Sequence, residues 1–371
     1  MNSKRIAIIG ANESIVPLIK KAKALGFETH VFAWRCGDPG EREADFFYPI
    51  SVSDKERILE ECKKIGVHGV CSITSDFAAP VVAFLSRKLG LPGNPEITDL
   101  VARNKYEMRR AFQSTGLLYS PRFVEISDLN HLNDLVDGFK FPLIVKPVDR
   151  WSSKGISRVD SFNDLESAVK IAINESLSKT AIVEEFVDGP EYSAECIVYN
   201  GEASILTFTK KTTTGYPHYI ETGHMQPSDI PINSQQLIIC KIKAALKALG
   251  IYNSAAHAEF RIMENGDICF MEIGARMGGD YIGTDLTPIS TGMDYLKMVI
   301  DVACGNKPCF DKLATPKKVC VRFILEKKDL DFCNSISDER IIRKNVFDVD
   351  FDRPVTDSSS RHGYFIYELE N

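Results

Sequence analysis

The stretch from residue 255 to residue 276 constrains the fold of this chain more than any other. Two runs of alternating apolar and polar residues flank Asn265-Gly266, which predicts a β-hairpin with a two-residue type I′ turn. In that register Glu259 lies directly opposite Glu272, with Cβ atoms about 4.5–5.5 Å apart, where like charges are unfavourable. A cation would reverse this repulsion, and Mg²⁺ takes one or two carboxylates together with substrate phosphates. The hairpin therefore predicts a metal site, with a solvent-exposed pair of glutamates as the alternative.

The same register extends to the end of the hairpin. It places His257 opposite Gly274 and Ala255 opposite Arg276. Because side chains alternate along a strand, Arg276 is predicted on the same face as Glu272. The sequence thus predicts a guanidinium beside the two carboxylates.

Length and composition narrow the class of protein. The 371 residues suffice for two or three domains with a sizeable core. The net charge is −6 and no basic block occurs, which argues against a dedicated nucleic-acid or membrane-surface binder. No transmembrane stretch of roughly 20 apolar residues and no secretory signal are predicted. The ten cysteines are scattered without a C-x-x-C motif, so we expect reduced thiols in a cytoplasmic protein rather than disulfides or zinc.

The N-terminal hundred residues alternate between strand and helix patterns. A strand over 4–9, a helix ending at Leu25 and a strand over 28–34 predict a parallel sheet. A dinucleotide site is disfavoured, since Asn12 and Ile15 stand where the glycine fingerprint needs glycine. Ser75-Asp76 follow a later strand, at the edge where open α/β sheets bind ligands, and a helix cap is the alternative interpretation.

Two lysines mark the middle of the chain. Lys105 falls near the middle of a helix predicted over about 97–114, and Lys146 falls inside the apolar run 141–148. A compact ammonium suits phosphate, although a buried-stem lysine on an edge strand is the plainer explanation. The segment 149–156 contains small hydroxyl residues, Lys154 and Gly155, and could let backbone amides approach an anion.

Two later segments complete the organisation. Residues 210–228 are predicted to be a long functional loop that contains His218, Glu221 and His224. The last 65 or so residues carry strand patterns and are predicted to form a separate small β-rich unit.

Taken in order, these motifs resemble an ATP-grasp ligase. Lys105, Lys146, the 149–156 segment, the E-E-F-V-D-G-P-E run at 184–191 and the Glu259/Glu272 pair follow one another with compatible spacing. The resemblance implies a mixed α/β and α+β ATP-grasp fold in three parts. These are an N-terminal parallel α/β domain (1–100), the ATP-grasp domain (101–305) and a C-terminal β-rich extension (306–371).

The resemblance also implies a role for each matching residue. Lys105 and Lys146 would hold ATP phosphates, and Glu259 and Glu272 would bind Mg²⁺, or Mn²⁺ in its place. Arg276 would steady an acyl phosphate or tetrahedral adduct. The residues implied for the rest of the nucleotide site are Ser152, Ser153, Lys154 and Gly155 in a mobile phosphate loop, Glu184, Glu185, Phe186 and Val187 in an adenine hinge, and Glu191 at the ribose.

Within the superfamily the chain looks most like dipeptide-forming L-amino acid ligases. In that subgroup a Glu and a His three residues apart help bind substrate, which corresponds to Glu221 and His224 here. Asp280 stands where some of these ligases carry a bulky aromatic residue at the acceptor pocket. Gly274 stands where many ATP-grasp enzymes have an asparagine metal ligand, so the metal site is predicted to lack one ligand.

The resemblance implies an ATP-dependent carboxylate–amine ligase that releases ADP and phosphate. Its cofactors would be ATP and Mg²⁺, and its partners a small carboxylate, an amine and a second copy in a homodimer. The alternatives are an ATP-grasp carboxylase, a formate-activating or carbamoyl-phosphate-type enzyme, and a nucleotide-binding module without catalysis. No nucleic acid or membrane partner is expected.

Overall fold

Three β-sheets organise the chain. The computed structural model describes residues 4–150, 154–216 and 219–370. In that part, one sheet has four parallel strands, one has four antiparallel strands and one has eight antiparallel strands. No described helix is both long and apolar enough to cross a bilayer.

The parallel sheet belongs to the N-terminal part, as predicted. Its strand order is β3-β2-β1-β4, so β2 and β4 lie on opposite sides of β1. This arrangement leaves a crevice at the carboxyl ends of β1 and β4. Buried residues one helical turn apart, such as Ile58 and Cys62, pack a helix against the strands. The elements are β1 (Lys4–Ile9), α1 (Val16–Ala24), β2 (Phe27–Ala33), α2 (Pro39–Glu43), β3 (Phe46–Pro49), α3 (Lys55–Ile65), β4 (Gly69–Cys71), α4 (Ala79–Leu89) and α5 (Glu96–Val101).

The predicted helix over 97–114 is wrong as a single element. It ends at Val101 and a new helix, α6 (Lys105–Ser114), begins after a break. Asn104 causes the break, because its side chain accepts hydrogen bonds from the backbone amides of Tyr106 and Glu107 and caps α6. Lys105 is therefore in the first turn of a helix rather than near its middle.

A four-stranded antiparallel sheet follows in the order β5-β8-β6-β7. One helix covers it, and the apolar residues Leu165, Val169 and Ala172 of that helix pack against Leu143 and Val145. The elements are β5 (Phe123–Ile126), α7 (Leu132–Leu135), β6 (Leu143–Pro147), β7 (Ser157–Val159), α8 (Phe162–Glu175) and β8 (Ala181–Glu185).

The eight-stranded sheet has the order β13-β12-β9-β10-β11-β14-β16-β15. The C-terminal strands thus extend the central sheet, and the prediction of a separate β-rich unit is wrong in that respect. The elements are β9 (Glu191–Tyr199), β10 (Glu202–Thr213), β11 (Glu221–Gln226), α9 (Ile232–Ala248), β12 (Ser254–Ile262), β13 (Ile268–Gly274), α10 (Thr287–Thr291), α11 (Tyr295–Ala303), β14 (Val319–Ile324), α12 (Lys327–Ser335), β15 (Ile341–Val346) and β16 (Gly363–Glu368).

The segment 210–228 is not the long loop that the sequence predicts. Its first residues continue β10 to Thr213, and Glu221–Gln226 form β11, which pairs with β10 and β14. Glu221 and His224 therefore lie on a strand in the middle of the sheet. His218 lies outside the described residues.

The β12–β13 hairpin keeps the predicted pairing of the glutamates through a different turn. Glu259 is paired with Glu272 and His257 with Gly274. The turn is not two residues long, since the strands end at Ile262 and resume at Ile268, and a bulge after Glu259 restores the register. The strand also stops at Gly274, so Arg276 has no partner strand and the predicted pairing with Ala255 is wrong.

Candidate active site

A cavity of about 780 Å³ opens where the three sheets meet. Its lining combines carboxylates and cations from the two antiparallel sheets and α6 with the carboxylate of Asp76 from the N-terminal part. The residues that line it include Ser14, Thr74, Asp76, Lys105, Arg109, Lys146, Lys154, Glu184, Glu185, Phe186, Val187, Glu191, Lys211, Glu221, His224, His257, Glu259, Glu272, Gly274, Arg276, Asp280 and Ser358.

The two opposed glutamates both face this cavity. Glu259 accepts hydrogen bonds from Lys211 (2.7 Å) and from His257 (3.0 Å), both at its Oε1 atom. Glu272 Oε1 lies 3.1 Å from the ammonium of Lys105. Among the described residues, no hydrogen bond engages the second oxygen of either carboxylate, so each glutamate keeps an oxygen for a ligand.

Sequence reasoning missed Lys211, which is 7% exposed. Its ammonium lies 2.7 Å from Glu259, 3.3 Å from Glu191 and 3.9 Å from Glu221. Although burial alone would lower it, these carboxylates raise the pKa of Lys211 above its usual value. The sequence does not point to Lys211 because the segment that holds it is predicted to be a loop. An alternating strand pattern continued through Thr213 would direct its side chain inward.

The buried side chain of His257 helps to hold Glu259 in place. The Nδ1 atom of His257 is bonded to Glu195, which is fully buried and also accepts the backbone amide of Gly278 at 2.9 Å. Although burial alone would lower it, Glu195 raises the pKa of His257. The Glu195–His257 pair therefore fixes both Glu259 and the turn that follows β13.

Lys146 belongs to a buried cluster of three charges. Its ammonium lies 2.5 Å from Glu184 Oε1, and Arg109 makes a two-pronged contact to the same carboxylate at 2.8 and 3.3 Å. Although burial alone would raise it, Arg109 and Lys146 hold the pKa of Glu184 at about 2. Burial in turn lowers the pKa of Lys146, against the pull of Glu184. The side chain of Glu184 is thus committed to the cluster.

Lys105 stands at the start of α6, beside this cluster. Besides Glu272, its ammonium bonds the backbone carbonyl of Arg150 at 2.6 Å. This contact ties the start of the predicted phosphate loop to the glutamate hairpin. Lys154 and Gly155 continue the loop, and Gly155 has a positive φ of 70°. The predicted loop residues Ser152 and Ser153 lie outside the described residues.

The residues predicted for the adenine hinge form one strip of the wall. Glu185 accepts the backbone amide of Lys140 at 2.9 Å. The ring of Phe186 lies between the guanidinium groups of Arg158 and Arg261, whose Cζ atoms are 4.8 and 5.1 Å from its centroid. Arg261 also donates to the carbonyl of Val187 at 2.8 Å and to Glu191 at 3.3 Å. Arg261, which the sequence did not single out, therefore joins the hinge to the residue predicted at the ribose.

The C-terminal segment contributes another part of the cavity wall. Arg361, with a side chain that is 6% exposed, donates to Asp280 at 2.8 Å and to Glu221 at 3.1 Å. Ser358 also donates to Glu221, and His224 Nε2 lies 3.8 Å from Asp280. Although burial alone would raise it, His224 and Arg361 hold the pKa of Asp280 well below its usual range. Asp280 is therefore ionised where it lines the cavity.

Arg276 also lines the cavity. It makes a two-pronged ion pair with Asp76, with both distances 2.8 Å. Its third contact is to the carbonyl of Met277 at 3.0 Å. The hydroxyl of Ser75 accepts the amide of Ala78 in the turn before α4, but α4 begins at Ala79 without a side-chain cap. Asp76 lines the cavity.

The residues present fit a divalent cation that is shared with a polyphosphate. The described part of the chain holds no group of three or more His, Cys, Asp or Glu arranged for a metal. Mg²⁺, however, is commonly bound by one or two carboxylates with substrate phosphates and water as the remaining ligands. Glu259 and Glu272 supply two such carboxylates on directly paired positions.

Comparison with known proteins agrees with this architecture. The ATP-grasp domain family matches residues 139–285. An alanine–anticapsin ligase of Bacillus subtilis (strain 168) is 28% identical over 299 residues, which cover 71% of this chain and 62% of the relative. The chain thus spans less than two thirds of that relative.

Two solved structures share the fold. An L-amino acid ligase from Bacillus licheniformis superposes with a TM-score of 0.82 at 24% identity, over 100% of this chain and 94% of the other. A phosphoribosylglycinamide synthetase from Anaerococcus prevotii gives 0.79 at 23% identity, over 99% and 94%. Residues 139–285 therefore match an ATP-grasp domain, and the chain has the ATP-grasp fold that its motifs predict. Among ATP-grasp proteins it is similar to the L-amino acid ligases.

Proposed function

We propose that this protein is an ATP-dependent carboxylate–amine ligase that forms a C–N bond and releases ADP and phosphate. The observation that carries the proposal is the pair of opposed glutamates, Glu259 and Glu272, in one cavity with Lys105, Lys146 and Arg276. The similarity to an alanine–anticapsin ligase supports an amino acid as the carboxylate. The three domain boundaries, a homodimer and a cytoplasmic location remain predictions.

We assign the nucleotide to the half of the cavity between the two antiparallel sheets. Lys105 and Lys146 would meet the phosphates, and the backbone of residues 184–187 would meet the base. The side chain of Glu184 is held by Arg109 and Lys146, so it is not available to the base. Glu191, which faces the cavity with Lys211 and Arg261 beside it, would accept the ribose hydroxyls.

The chemistry follows from charge. A carboxylate and ATP repel each other, so the site must neutralise the polyphosphate before the two can meet. Two buried ammonium groups do this without the cost of reorganising water, which is the usual basis of electrostatic catalysis. A bound Mg²⁺, held by Glu259 and Glu272, would add Lewis-acid stabilisation of the transferring phosphoryl group.

The substrate carboxylate would attack the γ-phosphorus to give an acyl phosphate and ADP. An amine then attacks the acyl carbon, phosphate leaves, and Arg276 stabilises the oxyanion of the adduct. The carboxylates of Glu221 and Asp280, which both line the cavity, suit the ammonium group of an amino-acid substrate. The cavity must exclude water at this stage, because an acyl phosphate hydrolyses.

A release assay over substrate pairs tests the proposal. The protein is incubated with MgATP and pairwise mixtures of the twenty amino acids, and ADP and products are read by mass spectrometry. Ligated product in amounts equal to ADP is the expected result. ADP that depends on bicarbonate or formate without an amino acid would instead identify a carboxylase, formate-activating or carbamoyl-phosphate-type enzyme. Tight ATP binding without any ADP would identify a non-catalytic module.

Lys211 allows a prediction about the metal. Replacing Lys211 with methionine leaves Glu191, Glu221 and Glu259 without their shared cation, and removing one partner of a buried ion pair costs about 3–5 kcal/mol. We expect Lys211→Met to have a lower melting temperature than the wild type. Mg²⁺ with ADP should raise the melting temperature of the variant more than that of the wild type, because the metal replaces the missing positive charge. Thermal unfolding with and without Mg²⁺ measures this.

The control for this prediction is the half-buried neighbour Lys210. It pairs with Asp229 outside the cavity, so Lys210→Met should respond to Mg²⁺ as the wild type does. An equal gain from Mg²⁺ in Lys211→Met and the wild type would contradict the proposed location of the metal.

A further inference from the structure

The ion pair between Asp76 and Arg276 joins two distant parts of the chain. Asp76 follows β4 of the parallel sheet, and Arg276 follows β13 of the eight-stranded sheet. Both oxygens of the carboxylate are engaged, one with Nε and one with Nη2 of the guanidinium. Both side chains are largely buried, with 18% and 16% of their surface exposed. A two-pronged contact of this kind fixes the plane of a guanidinium as well as its position.

The glycine at position 274 makes room for this pair. A Cβ atom added there would lie 2.9 Å from Asp76 Oδ1 and 3.1 Å from Arg276 Nε. Gly274 does not have a positive φ angle, so the backbone conformation at this position does not require glycine. The space that a side chain at 274 would fill is taken by the carboxylate of Asp76.

We propose that Asp76 is a positioning residue that orients Arg276 for the ligation step, and that Gly274 is required because this pair occupies its side-chain space. The inference rests on the proposed function, since it assigns Asp76 through Arg276. It also gives a different explanation for the glycine at position 274. Glycine there leaves space for the Asp76–Arg276 ion pair, rather than marking a missing metal ligand.

The physical reason is preorganisation. The remaining N–H groups of Arg276 are available to an oxyanion only in the orientation that Asp76 and the Met277 carbonyl impose. Although burial alone would lower it, Asp76 raises the pKa of Arg276, so the guanidinium keeps its charge. A donor displaced by about 1 Å can cost about 100-fold in rate. The N-terminal part therefore acts on the reaction through Arg276.

The first test compares two ion pairs that both join the N-terminal part to the rest. Asp76→Asn keeps the shape of the side chain but turns an amide toward the guanidinium. We expect kcat for ligation to fall about 100-fold, the KM for ATP to stay unchanged, and ADP release to exceed product, because the acyl phosphate is lost to water. The control is Lys21→Gln, which breaks the 2.7 Å pair with Asp294 outside the cavity and should leave all three quantities unchanged.

The second test separates the two meanings of position 274. If glycine provides space, Gly274→Ala and Gly274→Asn both lower kcat as Asp76→Asn does, and neither tightens Mn²⁺ in the presence of ADP. If position 274 lacks a metal ligand, Gly274→Asn binds Mn²⁺ more tightly and keeps or gains activity, which would overturn the proposal.

A third measurement does not depend on turnover. In ¹⁵N-labelled protein, the Nε–H signal of Arg276 is assigned by its loss in Arg276→Lys. This proton should exchange slowly with solvent in the wild type and in Lys21→Gln but rapidly in Asp76→Asn. Equal exchange in all of them refutes the positioning role. A wild type that shows slow exchange but no ADP with any substrate pair refutes the proposed function and leaves the ion pair itself established.

Discussion

Replacing Glu272 with glutamine should lower the rate of ADP release about 1000-fold while the protein stays folded. The neutral amide is a poor metal ligand, and a loss of about 4 kcal/mol in transition-state stabilisation corresponds to that factor. Folding should persist because the amide oxygen of glutamine can still accept the hydrogen bond from Lys105. ADP release with the active substrate pair measures the effect, and the melting temperature reports on the fold.

The matched control is Glu264→Gln in the same hairpin. Glu264 is exposed in the turn between β12 and β13, so its loss removes one negative charge nearby without touching the cavity. We expect wild-type rates from this variant. Turnover at the wild-type rate in Glu272→Gln would remove the central support of the proposed ligase.

Local pattern was enough to predict the glutamate pair. The alternation of side chains along residues 255–276 determines which residues share a face of the hairpin, and a ligand binds to one such face. The turn was predicted wrongly, because the Asn-Gly signal favours a two-residue loop whereas the chain uses residues 263–267. The bulge after Glu259 absorbs the difference, and nothing in the alternation of side chains reports a bulge in advance.

The partners of the site residues could not be predicted in the same way. Asp76 and Arg276 are 200 positions apart, and Arg361 reaches Glu221 across 140 positions. Such pairs depend on how whole sheets meet, which single-sequence periodicity does not encode. Lys211 is different, since its strand was misassigned as a loop and a correct secondary-structure prediction would have indicated its inward orientation.

The buried cluster of Arg109, Lys146 and Glu184 should separate stability from activity. Its three side chains are nearly inaccessible, with 2–4% of each residue exposed. Glu184→Gln leaves two buried cations without a counter-charge, which costs about 3–5 kcal/mol of unfolding free energy. Lys146→Met instead leaves Arg109 and Glu184 as a one-to-one pair. Because burial already penalises the ammonium of Lys146, this variant should match or exceed the stability of the wild type.

Activity should follow the opposite order to stability. Lys146→Met removes a proposed phosphate ligand, and we expect ADP release to fall about 100- to 1000-fold, the range for one charge-stabilising donor. Urea midpoints and ADP release on both variants measure the two effects. Destabilisation of Lys146→Met by as much as Glu184→Gln would show that the lysine serves the fold rather than the phosphates.

The pH dependence of stability provides an independent test of the same cluster. The pKa of Glu184 lies at about 2, below its ordinary value of 4.5. A depressed carboxyl pKa contributes stability that is fully present above pH 4.5 and is lost as the pH falls toward 2. The stability difference between the wild type and Glu184→Gln should therefore be constant at neutral pH and shrink across that window. A difference that stays constant down to pH 2 would mean that the charge of Glu184 is not what Arg109 and Lys146 stabilise.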